Sequence, residues 1–396
     1  GYRRHRLQAG RLGPKGRVSP LRILVINWQD IRNPLSGGAE VHFHEIFRRV
    51  AAMGHAVTLL CSAFAGAAAE EEIDGIRILR CGSRQLFNFA VPAAYRRLRK
   101  AQEFDVVIDD LNKIPFYTPC FVREPLLTIV HHLFGRSIYL ETSWLPASYV
   151  YWSERLALRI YRRTPFAVVS ESTRDELRGL GITAPVELLP NAVDHERYPY
   201  APVERSPEPL ICHLGRLKRY KSVEHLLRAL PRVLSSLPDT RLVIVGEGDH
   251  RPALEALAGE LGIGGAVTFT GQVSHEEKVH WLNRAWVAVN PSPKEGWGLT
   301  VIEANACGVP VVAADSPGLR DSVRDRETGL LYPYGEIEAL AGGLITLLRN
   351  RTLRERMGEA ARLWAGTFSW DQSARKAVAI LEGMGLRSQP GGPEPV

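Results

Sequence analysis

A chain of 396 residues with 45% hydrophobic and 23% charged side chains is too long for a single core and too apolar to be disordered, so two globular domains are expected. Its charge of +7 does not point to nucleic acid: Arg3, Arg4, Arg6, Arg11, Lys15 and Arg17 lie in the first twenty residues with no acid among them, the remainder is nearly neutral, and no nucleic-acid recognition motif accompanies it. Cys61, Cys81, Cys120, Cys212 and Cys307 are scattered singly, which suggests no disulfide framework, and no apolar run reaches the roughly 18 residues of a membrane span.

Residues 1–20 are expected to form a disordered basic tail without the apolar core of a signal peptide. From Leu21, "LRILVIN" reads as a buried strand, followed by a glycine turn "SGGAE", a helix with Val41, Ile46, Phe47 and Val50 on one face, and the strand "HAVTLL". "RQLFNFAVPAAYRRLRK", Arg84 to Lys100, mixes aromatic and basic residues around a helix that Pro92 could start. It suits an anionic membrane surface or a lipid-linked acceptor; the alternative is an amphipathic helix with a solvated basic face. "DVVIDD" and "LLTIVHH" are further strands, and Asp109 and Asp110 read as a strand end, not a spaced Asp-x-Asp metal site. Residues 139–163 read as an aromatic, core-facing helix. "FAVVS" then leads into "ESTRDELRGL", where Ser or Thr can cap a helix. This βα alternation predicts a mostly parallel sheet covered on both faces.

A proline-rich, charged connector at 190–209 separates this half from a second with the same alternation. There "PLICHLGRL", "TRLVIVGEG", "AVTFTGQV" and "WVAVNPSP" read as strands separated by helical runs, with Ser222 able to cap one of those helices. A last helix starts at Trp370, and "RSQPGGPEPV" reads as a frayed tail.

Doubly wound sheets bind ligands beyond the carboxyl ends of their strands, so chemistry is sought in the loops there. In "KEGWGLTVIEANACGVPVVA", Gly296 and Gly298 let backbone approach a ligand, and the helix that begins near Thr300 aims amides at an anion. Glu295 and Glu303 would repel phosphate, so as ligand groups they fit only sugar and ribose hydroxyls; otherwise Glu303 is a first-turn glutamate favoured by the helix dipole and Glu295 a solvated loop charge. In "GRLKRYKSV", Gly215 leaves room for Arg216 and Lys221 to meet a diphosphate, while Lys218 and Arg219 fit a solvated face. Gly37 and Gly38 form another backbone cradle before a helix. His131, at a strand end, is either structural or part of the site.

Taken together, "SGGAE", "LPNAVD", "GRLKRYK" and the Glu, seven residues, Glu pattern with its glycines resemble the motifs of glycosyltransferase family 4, retaining sugar-nucleotide transferases of GT-B fold. The resemblance covers about residues 21–386. It implies an α/β chain with two Rossmann-like, doubly wound domains facing a central cleft. An acceptor-side domain would span 21–194 and a nucleotide-sugar domain 195–369, with a helix at 370–386 returning to the first domain and a disordered tail at 387–396. It further implies that Arg216 and Lys221 bind the donor diphosphate and that Glu303 holds the ribose. Glu295 and the backbone of Gly296, Trp297, Gly298 and Leu299 would bind the transferred sugar. Gly37 and Gly38 would line the phosphate and acceptor side, and His131 would stand beside the reacting face. Departures are Ala192 where glycine is common, Trp297 where phenylalanine is usual, and a second histidine, His132, beside His131.

The activity so implied is transfer of a sugar from a nucleotide diphosphate, UDP- or GDP-linked, to an acceptor hydroxyl on a sugar, small molecule or lipid-linked glycan, without a metal or other cofactor and without nucleic acid. The expected setting is cytoplasmic, at the inner membrane face where the acceptor is lipid-linked. Alternatives are a sugar-nucleotide epimerase of the same architecture and a catalytically silent sugar-nucleotide-binding module.

Overall fold

Apolar runs bounded by glycine and charged residues become the strands of two separate sheets in the computed structural model, which describes residues 20–112, 114–140, 142–202 and 205–387. Apart from Pro20 and Arg387, the tails expected at 1–20 and 387–396 lie outside these residues. The first sheet contains β1 (Arg22–Ile26), β2 (Ala56–Ser62), β3 (Glu70–Ile73), β4 (Ile76–Cys81), β5 (Val106–Leu111), β6 (Leu126–Val130), β7 (Phe166–Val168) and β8 (Val186–Leu188). Its order is β3-β4-β2-β1-β5-β6-β7-β8, parallel except for the acidic edge strand β3, which pairs antiparallel with β4 and carries no apolar run to betray it. The second sheet contains β9 (Leu210–Leu214), β10 (Arg241–Val245), β11 (Val267–Gly271), β12 (Val287–Asn290), β13 (Val311–Ala314) and β14 (Gly329–Tyr332), all parallel in the order β11-β10-β9-β12-β13-β14.

In both sheets the strand order reverses beside the first strand, β1 or β9, so the loops after β1, β9 and β12 open onto crevices. Those loops carry "SGGAE", "GRLKRYK" and "PSPKEGWG".

The first sheet carries α1 (Gly38–Ala52), α2 (Phe87–Ala101), α3 (Trp144–Ile160) and α4 (Glu171–Gly179). The second carries α5 (Val223–Ser236), α6 (Arg251–Glu260), α7 (His275–Arg284), α8 (Leu299–Ala306), the short α9 (Leu319–Ser322), α10 (Ile337–Arg349) and α11 (Arg351–Ala365). The last helix, α12 (Trp370–Arg387), crosses back to the first domain, where Trp370, Ala374, Ala377 and Leu381 pack with α1 against Ile23, Val25, Ile108 and Ile129. Their i, i+4, i+7, i+11 spacing is one helical stripe, and burying Leu381 alone is worth about 2 kcal/mol.

On the opposite face, α2 covers Leu24, Ile26 and Val107, and α3 covers Leu111, Val130 and Val168. The β5–β6 register pairs Val107 with Leu126 and Leu111 with Val130, so the two helices share one layer.

Four local expectations are corrected. Pro92 lies inside α2 rather than at its start, because Phe87 is buried and draws the helix a turn earlier. Ser170, ahead of "ESTRDE", is the residue that caps α4, its hydroxyl accepting from the Thr173 amide at 3.2 Å. Ser222 precedes α5 in a left-handed conformation and makes no cap bond; its hydroxyl pairs with Tyr334 instead. Finally, α3 buries only one side, and Trp144, Leu145, Tyr149, Trp152 and Leu156 point to solvent.

Candidate active site

The second domain aims its basic groups through backbone packing. A Cβ on Gly246 would lie 2.0 Å from the Gly215 carbonyl oxygen and one on Gly248 2.1 Å from that of Leu217, so the loops after β9 and β10 stack directly, main chain on main chain. This fixes the turn from which Arg216 and Lys221 project. Arg216 is exposed, its guanidinium makes no hydrogen bond or ion pair to another described residue, and it reaches across to the first domain, its Nη2 lying 3.6 Å from where a Gly37 Cβ would stand. Lys221 is more enclosed and donates to Glu295 Oε1 at 2.5 Å. Lys218 pairs with Asp249 on the surface.

Burial raises the Glu295 carboxyl, but the Lys221 ammonium and hydrogen bonds outweigh it and hold the group below the usual glutamate range. Burial lowers Lys221 in turn, and Glu295 more than compensates. Asn290 reaches the same carboxylate at 3.4 Å and the Thr300 hydroxyl at 3.3 Å, and its own oxygen accepts from the Ser292 amide. Gly298, at φ +86°, makes the left-handed turn into α8, a conformation costly for any residue with a Cβ. Trp297 turns away from the cleft and packs edge-on against Phe368, so only its main chain is available to a ligand.

No acidic residue occupies the first turn of α8, which leaves its amides uncompensated and suited to an anion. Glu303 lies beyond that turn, so dipole stabilisation does not account for it. Its Oε1 instead accepts from the Tyr198 hydroxyl and from Lys278 at 2.9 Å, while Oε2 makes no hydrogen bond to a described residue. Tyr198 and Lys278 escaped the sequence reading because they lie 105 and 25 positions away. Gly246 and Gly248 carried a readable signal, a paired glycine directly after a strand.

The first domain supplies the facing wall. The Gly37 amide donates to Glu40 Oε2 at 2.7 Å, so the N3 side chain caps the start of α1, and Gly38 opens that helix with free space around it. His131 Nε2 lies 2.9 Å from Asp110 Oδ1, and Asn27 donates to the other carboxylate oxygen at 2.8 Å. In the neutral ring, a carboxylate partner favours the tautomer with its proton on Nε2 and Nδ1 as the acceptor.

Asp109, one residue earlier, points to the opposite face as strand alternation requires and accepts from Thr118 and Tyr161 under α3. The two acids of "VIDD" thus have separate roles. His42 packs edge-on against His131 at 4.9 Å and is depressed to about 3 by burial and by that neighbour. His132 is depressed to about 4, chiefly by burial, and feels Lys294, Glu295 and Lys221, so both histidines of the pair border the cleft.

The walls also touch. A Cβ on Gly296 would lie 2.7 Å from the His131 carbonyl oxygen, the Ser172 amide donates to Asp321 at 3.3 Å, and Lys294 pairs with Glu176 at 2.8 Å.

Residues 36–197 match the family described as Glycosyltransferase Family 4, and residues 194–364 match Glycosyl transferases group 1. A phosphatidyl-myo-inositol mannosyltransferase of Mycobacterium leprae is 30% identical over 361 residues, covering 87% of this chain and 93% of the relative. The chain belongs to glycosyltransferase family 4.

A second relative in that family, a GDP-mannose-dependent alpha-(1-6)-phosphatidylinositol monomannoside mannosyltransferase of Mycolicibacterium smegmatis, is 33% identical over 233 residues. That match spans 54% of this chain and 61% of the relative's length. The family's two-domain GT-B fold is seen in the sucrose-phosphate synthase of Thermosynechococcus elongatus, which superposes with a TM-score of 0.82 at 22% identity, covering 93% of this chain and 100% of the other. Among the described residues no His, Cys, Asp and Glu cluster is arranged to hold a metal ion, and no helix is long and apolar enough to cross a membrane.

Proposed function

We propose that this chain is a retaining glycosyltransferase that moves a sugar from a nucleotide diphosphate to a hydroxyl of a lipid-linked cell-envelope acceptor. The observation that carries it is convergence: Arg216, Lys221, the uncompensated start of α8 and two carboxylates line the second domain's side of one cleft, opposite Gly37, Gly38 and His131. As the bond from the anomeric carbon to the phosphate oxygen breaks, charge grows on the departing diphosphate. Arg216, Lys221 and the α8 amides are preorganised to meet it, without a metal. Glu303 Oε2 takes the ribose, Glu295 and the Gly296–Leu299 main chain take the sugar, and the acceptor oxygen approaches along the wall that holds His131.

The names of the mycobacterial relatives support a mannosyl donor linked to GDP and an acceptor built on phosphatidylinositol. The exposed basic groups of α2, Arg96, Arg97 and Lys100, support work at an anionic membrane surface on the cytoplasmic side. A screen of GDP- and UDP-sugars for released nucleotide, with and without acceptor lipid and in the presence of chelator, tests the reading. Acceptor-dependent release is expected; release that needs no acceptor and yields an isomerised sugar nucleotide would make the protein an epimerase, and complete dependence on a divalent ion would overturn the metal-free route.

A further inference from the structure

Among the described residues, no other element covers the outer side of α3. Trp144 is 69% exposed, Trp152 66%, Leu145 63%, Leu156 51% and Tyr149 49%, and positions 145, 149, 152 and 156 follow helical spacing along one stripe. Toward the end of the helix and just past it, Arg155, Arg159, Arg162 and Arg163 are exposed, and the helix's one acid, Glu154, is buried on the inner side. Glu154 accepts from the amides of Phe134 and Gly135 at 2.8 Å each, which ties α3 to the segment leaving His131. The 3-10 segment Gly135–Leu140 in turn packs against the one at Arg219–Lys221. An apolar, unpartnered surface is thus bolted by its inner side to the lip of the cleft.

We propose that α3 is the element that docks on an anionic lipid bilayer, inserting its Trp, Leu and Tyr stripe at the headgroup boundary with the arginines on phosphates. This rests on the lipid-linked acceptor of the preceding section and names the surface that brings the lip to it. Charge selects the occupant. The N-terminal segment carries six cations and no acid before residue 20, so the arginines repel it, and the last ten residues contain no large apolar side chain to fill the stripe. A second copy laid on α3 would set arginines against arginines.

The same layer of the first domain holds a further cationic feature. A cavity of about 480 Å³ between α2 and residues 120–123 is lined by Arg96, Arg99, Lys100 and Arg123. Arg99 pairs with Glu124, while the other three make no ion pair with a described residue. Two helices on one face of the sheet therefore carry exposed cations, and α3 carries three exposed aromatic residues, Trp144, Tyr149 and Trp152, against Phe89 alone on α2. Tryptophan and tyrosine are the side chains that hold at a membrane interface.

The test is sedimentation of the full chain with vesicles of phosphatidylcholine and phosphatidylglycerol in equal parts, at about 0.1 M and about 0.5 M NaCl, where the higher salt screens exposed cations, including those of the N-terminal segment. The wild type should retain binding at high salt. The Trp144→Ser/Trp152→Ser double variant should lose roughly tenfold or more of its partition at both salts, with melting temperature and affinity for free GDP and UDP unchanged. Arg155→Glu/Arg159→Glu should lose binding mainly at low salt.

Equal partition of wild type and the tryptophan variant at both salts would overturn the proposal, as would loss of a dimer in the tryptophan variant, which would make the stripe a self-contact. Nucleotide release from donor is measured in parallel. An active enzyme whose vesicle binding ignores α3 retires this surface alone, whereas α3-dependent binding in a chain that never releases nucleotide retires the transferase reading and leaves the surface standing.

Discussion

Lys221 and Glu295, 74 positions apart in the chain, meet in the cleft at 2.5 Å with their side chains about 15% exposed. Each neutralises the other, so the positive field offered to a diphosphate comes mainly from Arg216 and the α8 amides. Loss of one member leaves the other enclosed and unpaired. Glu295→Gln and Lys221→Met should each lower stability by about 1–3 kcal/mol, and the double variant should recover most of it. Turnover should recover in none of the three. Because the Glu295 carboxyl is held low in the folded state, its contribution is present above the unfolded value of about 4.5 and is lost as pH falls through the lower folded value. Urea titrations between acid and neutral pH read both effects.

The two glutamates should differ in what they hold. Glu295→Gln should keep or raise affinity for the bare nucleotide diphosphate, since a repelling charge goes and Lys221 is released, while turnover of the sugar donor falls about 10–100-fold. Glu303→Gln should weaken the bare nucleotide by roughly tenfold, and Lys278→Met should do so more mildly by letting the carboxylate move. Calorimetry beside steady-state rates decides it. Equal losses of bare-nucleotide affinity at both positions would contradict the division.

Two glycines give opposite outcomes for stability. Gly38 has open space about its Cα at the start of α1, so Gly38→Ala should gain a few tenths to about 1 kcal/mol yet lower kcat/KM by placing a methyl group in the cleft. Gly296→Ala would press a methyl group against the His131 carbonyl, cost about 1–3 kcal/mol and raise KM by pushing the walls apart. A fully active Gly38→Ala enzyme would remove Gly38 from the site.

Acid should unfold the protein through buried histidines. His42, near 3, and His213, near 4, are depressed chiefly by burial, so the unfolded chain binds protons that the native state refuses below about pH 6.5. Asp109, raised to about 7 by burial, works the other way: its contribution is lost as pH rises from about 4 through 7. Each proton is worth about 1.4 kcal/mol per pH unit. His42→Gln should therefore flatten the loss of stability between pH 6 and 4.5, and Asp109→Asn should steepen it. Parallel curves for both variants and wild type would sink this assignment.

The strands and the loop chemistry were legible because both are local. Short apolar runs marked nine of the fourteen strands, β1, β2, β5, β6, β7 and β9 to β12, and glycines after strands marked where ligands approach. The acidic β3 was not legible, since only its pairing with β4 makes it a strand. Arg216, Lys221, Glu295 and Glu303 could be named from sequence, but the ion pair between two of them and the Tyr198–Lys278 clamp on a third depend on contacts no spacing encodes. For α3, composition showed an aromatic helix, yet which side is buried depends on the contacts of Ala157 and Leu158 with Leu111, Val130 and Val168, far off in the chain.

The return of α12 to the first domain has a mechanical meaning. The chain passes between the domains twice, near Ala192–Val193, where the core changes, and again between Phe368 and Trp370. The two passages are laced together, His195 bonding the Phe368 carbonyl and Ser373 the Pro190 carbonyl. Two fixed points define a line: a door-like swing about it would keep both passages intact, whereas a slide of one domain past the other would break the bonds that lace them. The latch is on the free side, where Lys294 meets Glu176. Cutting the main chain between Phe368 and Trp370 would remove none of the cleft residues named above and would turn the hinge into a tether.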